Sequence, residues 1–152
     1  MNGTTLRHET LTFVREYAAT PDVVFSAYED IDSRARWSAP SDTAVVTYTA
    51  HDFRAGGVDT FRCGDKQEPQ YDGEVRYVDI VPDARIVYSE IIRAAGAPLS
   101  ASLVTWTFAS RANGTRLEVT VQLASFVGED MVAGTRVGMN AALDNLGAQL
   151  RT

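Results

Sequence analysis

The sequence predicts an α+β domain in which a strand-rich chain ends in one long helix packed on an antiparallel sheet. Three observations predict it. Residues 128–151 carry a helical stripe: at about 100° per residue, Val132, Thr135, Met139, Leu143, Leu146 and Leu150 share one side. Ala133, Asn140, Asp144 and Arg151 face away. Upstream, about seven runs alternate apolar with polar residues or are rich in β-branched and aromatic ones. The turns between most of these runs are short, which makes the strands antiparallel, and a sheet of seven will twist and curl.

The elements follow in order. Thr10 to Tyr17 is a strand with Leu11, Phe13, Arg15 and Tyr17 on one face. Thr20-Pro21-Asp22 opens a helix, with Thr20 as cap and Pro21 at the first helical position. Val24, Phe25, Tyr28 and Ile31 form its apolar side, and a second short helix runs through Trp37 and stops before Pro40. Ala44 to Phe53 is the next strand, turned at Ala55-Gly56-Gly57 into Val58 to Cys63. Tyr71 to Val81 is a longer strand, and Pro82-Asp83 turns it into Arg85 to Arg93. Ala94 to Pro98 reads as a small-residue loop. Ser102 to Ser110 and Thr115 to Ala124 make a hairpin at Asn113-Gly114, a strong short turn signal. In the final helix, Glu129 and Asp130 suit the positive end and Arg151 the negative end.

Composition bounds the function. The 152 residues fit one domain and can bury a core without staples. A net charge of −6 and the absence of a basic block argue against nucleic acid and anionic membrane surfaces. One cysteine, Cys63, allows no internal disulfide, and with only His8 and His51 it makes no zinc set. No other cofactor is implied. Met1 to Thr10 lacks the apolar centre of a signal peptide, and no run suits membrane insertion. The expected location is therefore cytoplasmic. The sequence neither requires nor excludes a homodimer.

The order of elements resembles the helix-grip fold, in which a curved seven-stranded sheet wraps the C-terminal helix and two short helices follow the first strand. Local motifs add to it. Residues 19–27, Ala-Thr-Pro-Asp-Val-Val-Phe-Ser-Ala, with Trp37 beyond, resemble the opening of the activator of heat shock protein 90 ATPase homologue-like family. That family belongs to the START-related (SRPBCC) superfamily of polyketide cyclases, lipid carriers and pollen-allergen-like proteins. Residues 52–57, Asp-Phe-Arg-Ala-Gly-Gly, resemble its strand-turn signature. Residues 73–75 followed by 80–88 resemble its central hairpin, residues 114–117 its last hairpin, and residues 142–146 its helix. The family often has Trp after the glycine of that helix, where this chain has Gly138-Met139. Met is thinner and more adaptable; if Met139 points into a cavity, that cavity should be wider here or suited to a different ligand. The family's eponymous co-chaperone has an additional N-terminal domain, which this sequence does not show.

A wrapped helix leaves room for a pocket beneath it. Gly138 and Ala142, at the edge of the stripe, either let the helix approach the sheet or leave space for a ligand. Trp37, Phe61, Tyr77, Tyr88, Glu90, Trp106, Thr135 and Met139 are the candidate ligand-binding residues. Tyr88 and Glu90 share a strand face and would orient the ligand; the others would be walls. A phenol beside a carboxylate can also act as general acid and base, although tyrosines alternating with acids more often mark a face between core and water. His51-Asp52 is a poor dyad, since strand neighbours point to opposite faces. Cys63 reads as an inert buried thiol, and Arg54 and Arg62 as partners of surface acids. The expectation is binding of a small hydrophobic or aromatic molecule in an internal cavity. Its alternatives are a cyclase, dehydratase or hydrolase using the same cavity, and a co-chaperone or antitoxin-like interaction protein. The last requires a filled interior and an exposed apolar patch.

Overall fold

The computed structural model describes residues 5–152; the first four residues of the polar N-terminal stretch lie outside them. The described residues form β1 (Arg7–Tyr17), α1 (Pro21–Glu29), α2 (Ile31–Ser38), β2 (Ala44–Ala50), β3 (Val58–Asp65), β4 (Tyr71–Val81), β5 (Arg85–Ala94), β6 (Ala97–Arg111), β7 (Gly114–Ser125) and α3 (Glu129–Leu150). The strands make one antiparallel sheet in the order β1-β7-β6-β5-β4-β3-β2. Only the α1–α2 segment crosses from one edge to the other; every later strand pairs with its predecessor.

Alternation sets the inner face. Leu11, Phe13 and Tyr17 of β1, Val104, Trp106 and Phe108 of β6, and Leu117, Val119, Val121 and Leu123 of β7 are buried on one parity of each strand. Val132, Leu143 and Leu146 of α3 pack into the same core, while Thr135 and Met139 on the predicted stripe are only half-buried. The C-terminal half of α3 is tied down. Tyr17 Oη donates to the Leu143 carbonyl at 2.6 Å, Asn145 Nδ2 to the Ala39 carbonyl at 2.9 Å, and Gln149 Nε2 to Ser33 Oγ at 2.6 Å. Asn140, expected to face away, accepts from Arg15 Nη2 at 2.9 Å.

Three local expectations are corrected. β2 ends at Ala50, because the chain then leaves the ladder: Asp52 N donates to the Asp59 carboxylate and Phe53 turns inward onto Phe25, Tyr28 and Tyr77. The expected loop at Ala94 to Pro98 is a two-residue turn. Ala95 and Gly96 both take positive φ, 50° and 81°, as a tight hairpin requires. Pro98, which has no N–H to give, sits at a register shift opposite Arg93. Thr20 makes no side-chain cap; its hydroxyl donates to Asp22 instead. The side-chain cap belongs to α2, where Asp30 accepts from the N–H groups of Asp32 and Ser33.

Gly73 shows how the sheet is packed from inside. It faces Phe61 across β3 and β4. A Cβ there would lie 2.0 Å from the Phe61 ring, so the ring lies directly on the glycine backbone.

Candidate ligand-binding cavity

The tie-down of α3 is lopsided: in its N-terminal half Val132 packs into the core and Glu129 pairs with Arg7, but Met131, Gly134, Thr135 and Gly138 do not close onto the sheet. Beneath them lies a cavity of about 540 Å³. Its floor comes from alternate residues of the strands: Val46 and Tyr48 on β2, Phe61 and Cys63 on β3, Val75 on β4, Tyr88, Glu90 and Ile92 on β5, and Trp106 on β6. Trp37 closes the α2 end, and Met131, Gly134, Thr135, Gly138 and Met139 form the roof. Pro40, Asp130 and Gly134 are the exposed members of the lining and mark the mouth.

Seven of the eight sequence-nominated residues line this space: Trp37, Phe61, Tyr88, Glu90, Trp106, Thr135 and Met139. Tyr77 does not. Its ring is buried behind the wall, and its hydroxyl is held in a polar network. The two helix glycines leave space, since a Cβ added to Gly134 or Gly138 meets nothing within 4 Å. Gly138→Ala is therefore expected to stabilise the protein by about 0.5–1 kcal/mol, the propensity gain alone. Gly73→Ala is expected to cost about 1–3 kcal/mol by displacing Phe61. Urea unfolding of the two variants checks both signs.

Aromatic rings build the inner end. Tyr28 meets Trp106 edge-on with centroids 5.1 Å apart, and Trp37 lies 5.9 Å from Trp106. The indole of Trp106 donates to Tyr88 Oη at 3.1 Å, and that of Trp37 to the Ala27 carbonyl at 2.9 Å. Both indole N–H groups are thus satisfied within the fold.

The polar network behind this end was not foreseen. Asp59 is fully buried and accepts four hydrogen bonds. Arg34 Nη2 (2.9 Å) and Tyr77 Oη (2.6 Å) donate to one oxygen; His51 Nδ1 (3.0 Å) and Asp52 N (2.9 Å) donate to the other. Arg34 Nη1 donates to Tyr77 Oη at 2.6 Å. The guanidinium lies over two tyrosine rings, 4.3 Å from the Tyr28 centroid and 4.8 Å from that of Tyr48. Its Nε is the one buried side-chain polar atom without a partner among the described residues. The signal available beforehand was parity: Asp59 shares the inward face of Phe61 and Cys63, and Arg34 lies one turn before Trp37. His51 does partner an aspartate, but across the β2–β3 turn rather than at Asp52.

Titration behaviour follows burial. The Tyr28, Tyr77 and Tyr88 phenols are held above the ordinary tyrosine value, chiefly by desolvation. The Cys63 thiol is pushed up to about 11, first by burial and then by the charge of Glu90, which leaves it a poor nucleophile. Burial alone pushes Glu90 up to about 7. Glu90 retains some accessible area although it lies deep in the fold, because that area borders the cavity. Arg54 and Arg62 sit outside, paired with Asp52 at 2.9 Å and Asp72 at 3.5 Å. No cluster of three His, Cys, Asp or Glu residues that could hold a metal occurs among the described residues. Among them too, no helix is long and apolar enough to cross a membrane.

A seven-stranded antiparallel sheet gripping a C-terminal helix, with two short helices after its first strand, defines a helix-grip protein. The family described as Activator of Hsp90 ATPase homolog 1-like protein matches residues 18–151, and the chain belongs to that family. Solved structures agree. The Mll3558 protein of Rhizobium loti is 36% identical with a TM-score of 0.83, covering 95% of this chain and 98% of that one. A protein of Rhizobium leguminosarum is 28% identical with a TM-score of 0.85, covering 97% of each chain. The AHSA1-like protein from Aeromonas hydrophila, 19% identical, shares the fold at a TM-score of 0.73, covering 94% of this chain and 92% of that one. No protein of curated function matches the chain.

Proposed function

We propose that the protein binds a small apolar or aromatic molecule in the cavity under α3. The observation that carries this reading is the cavity itself, about 540 Å³ and lined mainly by aromatic and aliphatic side chains. Small-molecule sites fall in the range of about 300–1,000 Å³. Glycines at 134 and 138 each forgo roughly 0.5–1 kcal/mol of helix propensity without packing closely on anything. That pattern suits a roof kept thin for an occupant. An interaction protein would instead carry a continuous apolar patch. Among the described residues the large exposed hydrophobics, Leu6, Val14, Val23, Val78, Leu103 and Val137, are scattered over different elements.

A second reading, acid–base turnover in the same cavity, is favoured by one observation. Glu90 borders the space and titrates near neutrality, where a general acid or base works best. Under that reading Glu90→Gln keeps binding and loses turnover.

The test is native mass spectrometry of the purified protein, then denaturing extraction, with Trp37 and Trp106 fluorescence reporting titrated compounds. An apolar small molecule is expected to co-purify or to bind on titration. Met139→Trp, which places an indole in the roof, is expected to weaken binding at least tenfold with unchanged circular dichroism. Undiminished binding in that variant would move the site elsewhere.

A further inference from the structure

We propose that the occupant of this cavity is a cation: an organic ammonium whose charged end faces Glu90 and whose apolar body lies along the aromatic wall. This rests on the cavity-binding reading and narrows its ligand class.

The first ground is charge. Four charged side chains line the cavity, Arg34, Asp59, Glu90 and Asp130, so acids outnumber bases three to one. Arg34 is not on offer to an anion. Its two terminal nitrogens are given to Asp59 and Tyr77, two tyrosine rings lie against the guanidinium, and its unpartnered Nε is itself buried. Asp59, with four donors, is saturated. The charges left for a ligand are Asp130 at the mouth and Glu90 inside, both negative.

The second ground is that Glu90 makes no side-chain hydrogen bond or ion pair among the described residues and presents its carboxylate to the cavity. Carboxylates taken deep into a protein ordinarily have donors. The groups around it supply no positive charge. On its own strand lies Tyr88; its cross-strand partners are Val75 and Ser102; the ionisable groups coupled to it on β2 and β3 are the neutral Tyr48 and Cys63. The missing partner is a cation, and the cavity is where it fits.

The third ground is the wall. Aromatic faces attract cations, most strongly when desolvated. The fold already seats one, Arg34 over Tyr28 at 4.3 Å. Trp37, Trp106, Tyr88 and Phe61 border the remaining space. Ligand binding should draw Glu90 back toward its ionised form, so the proposal also predicts proton release near neutral pH.

The test uses the full chain and two probes of one shape: benzyltrimethylammonium and its uncharged carbon isostere, neopentylbenzene. Tryptophan fluorescence titrations are run at pH 8 and pH 5.5. The quaternary nitrogen keeps its charge at both, so the pH difference reports the protein. At pH 8 the cation is expected to bind at least tenfold more tightly than the isostere. The advantage is expected to shrink severalfold at pH 5.5 and to vanish in Glu90→Gln, which should still bind the isostere. Isostere binding as tight as the cation's would overturn the proposal and leave the cavity reading standing. A cation preference surviving in Glu90→Gln would overturn it too, by placing the selectivity elsewhere. Binding of neither probe overturns the proposal and counts against the cavity reading as well.

Discussion

Replacing Asp59 with alanine is expected to remove about 3–5 kcal/mol of folding stability, the cost of stranding one partner of a buried ion pair. The geometry explains the size. Arg34 and Asp59 are 2% and 0% exposed, so neither regains water when the other is lost. The deletion leaves a buried guanidinium, the Tyr77 hydroxyl, the Asp52 N–H and the His51 ring without their acceptor. A domain of this size has about 5–15 kcal/mol in total, so the loss should appear as a fall in Tm on the order of 10 °C. Urea unfolding followed by tryptophan fluorescence gives the free energy directly. The paired change Arg34→Met with Asp59→Leu removes both charges and should recover much of the loss, because desolvation no longer has to be offset. A cost under about 1 kcal/mol for Asp59→Ala would mean that water or rearrangement satisfies the network.

Glu90→Gln is expected to stabilise the protein at pH 8 and to leave it nearly unchanged at pH 4.5. Burial raises the acid from an ordinary 4.5 to about 7 in the folded state. The native state therefore holds a proton that the unfolded chain releases. The associated stability is fully present below about 4.5, falls as pH rises through 7, and is absent above about 8. Each tenfold difference in proton affinity is worth about 1.4 kcal/mol. That sets a ceiling of about 3 kcal/mol, reduced toward about 1–2 kcal/mol by screening from water in the cavity. Other carboxylates add their own pH dependence, so the quantity to measure is the difference between wild type and variant across pH 4.5 to 8.5. A difference that stays flat would show that Glu90 titrates as an ordinary exposed acid.

Much of the fold was legible in the chain because periodicity and turn chemistry are local signals. The stripe from Val132 to Leu150, the Asn113-Gly114 hairpin and the alternation of β4 each identify an element from neighbouring residues alone. What failed was decided elsewhere. The Ala95-Gly96 turn has a weak signal because alanine seldom takes a positive φ; it does so here because two long strands on either side fix the reversal. β2 stops short because Asp59, eight residues after His51, captures the chain. The cavity lining was partly readable, since parity along a strand places Phe61, Tyr88 and Trp106 on one side. Tyr77 has the same parity as Val75 but lies behind the lining, where Asp59 and Arg34 hold its hydroxyl. Charged residues default to the surface in any reading of a single sequence, so the Arg34–Asp59 pair was hidden by its own chemistry. Gly138 had two meanings, close approach or open space, and only the position of the opposing sheet chooses between them.

The lopsided anchoring of α3 separates two kinds of selection along one helix. Leu143, Leu146 and the bonds at Asn145 and Gln149 hold the fold, and changes there are costly. Met131, Gly134, Thr135, Gly138 and Met139 border the cavity, and a side chain added at either glycine meets nothing there. Descendants of such a chain can exchange one small molecule for another by rewriting five roof positions while the foundations stay intact. A designer can use the same division, drawing a library from the first half of the helix and leaving the second alone.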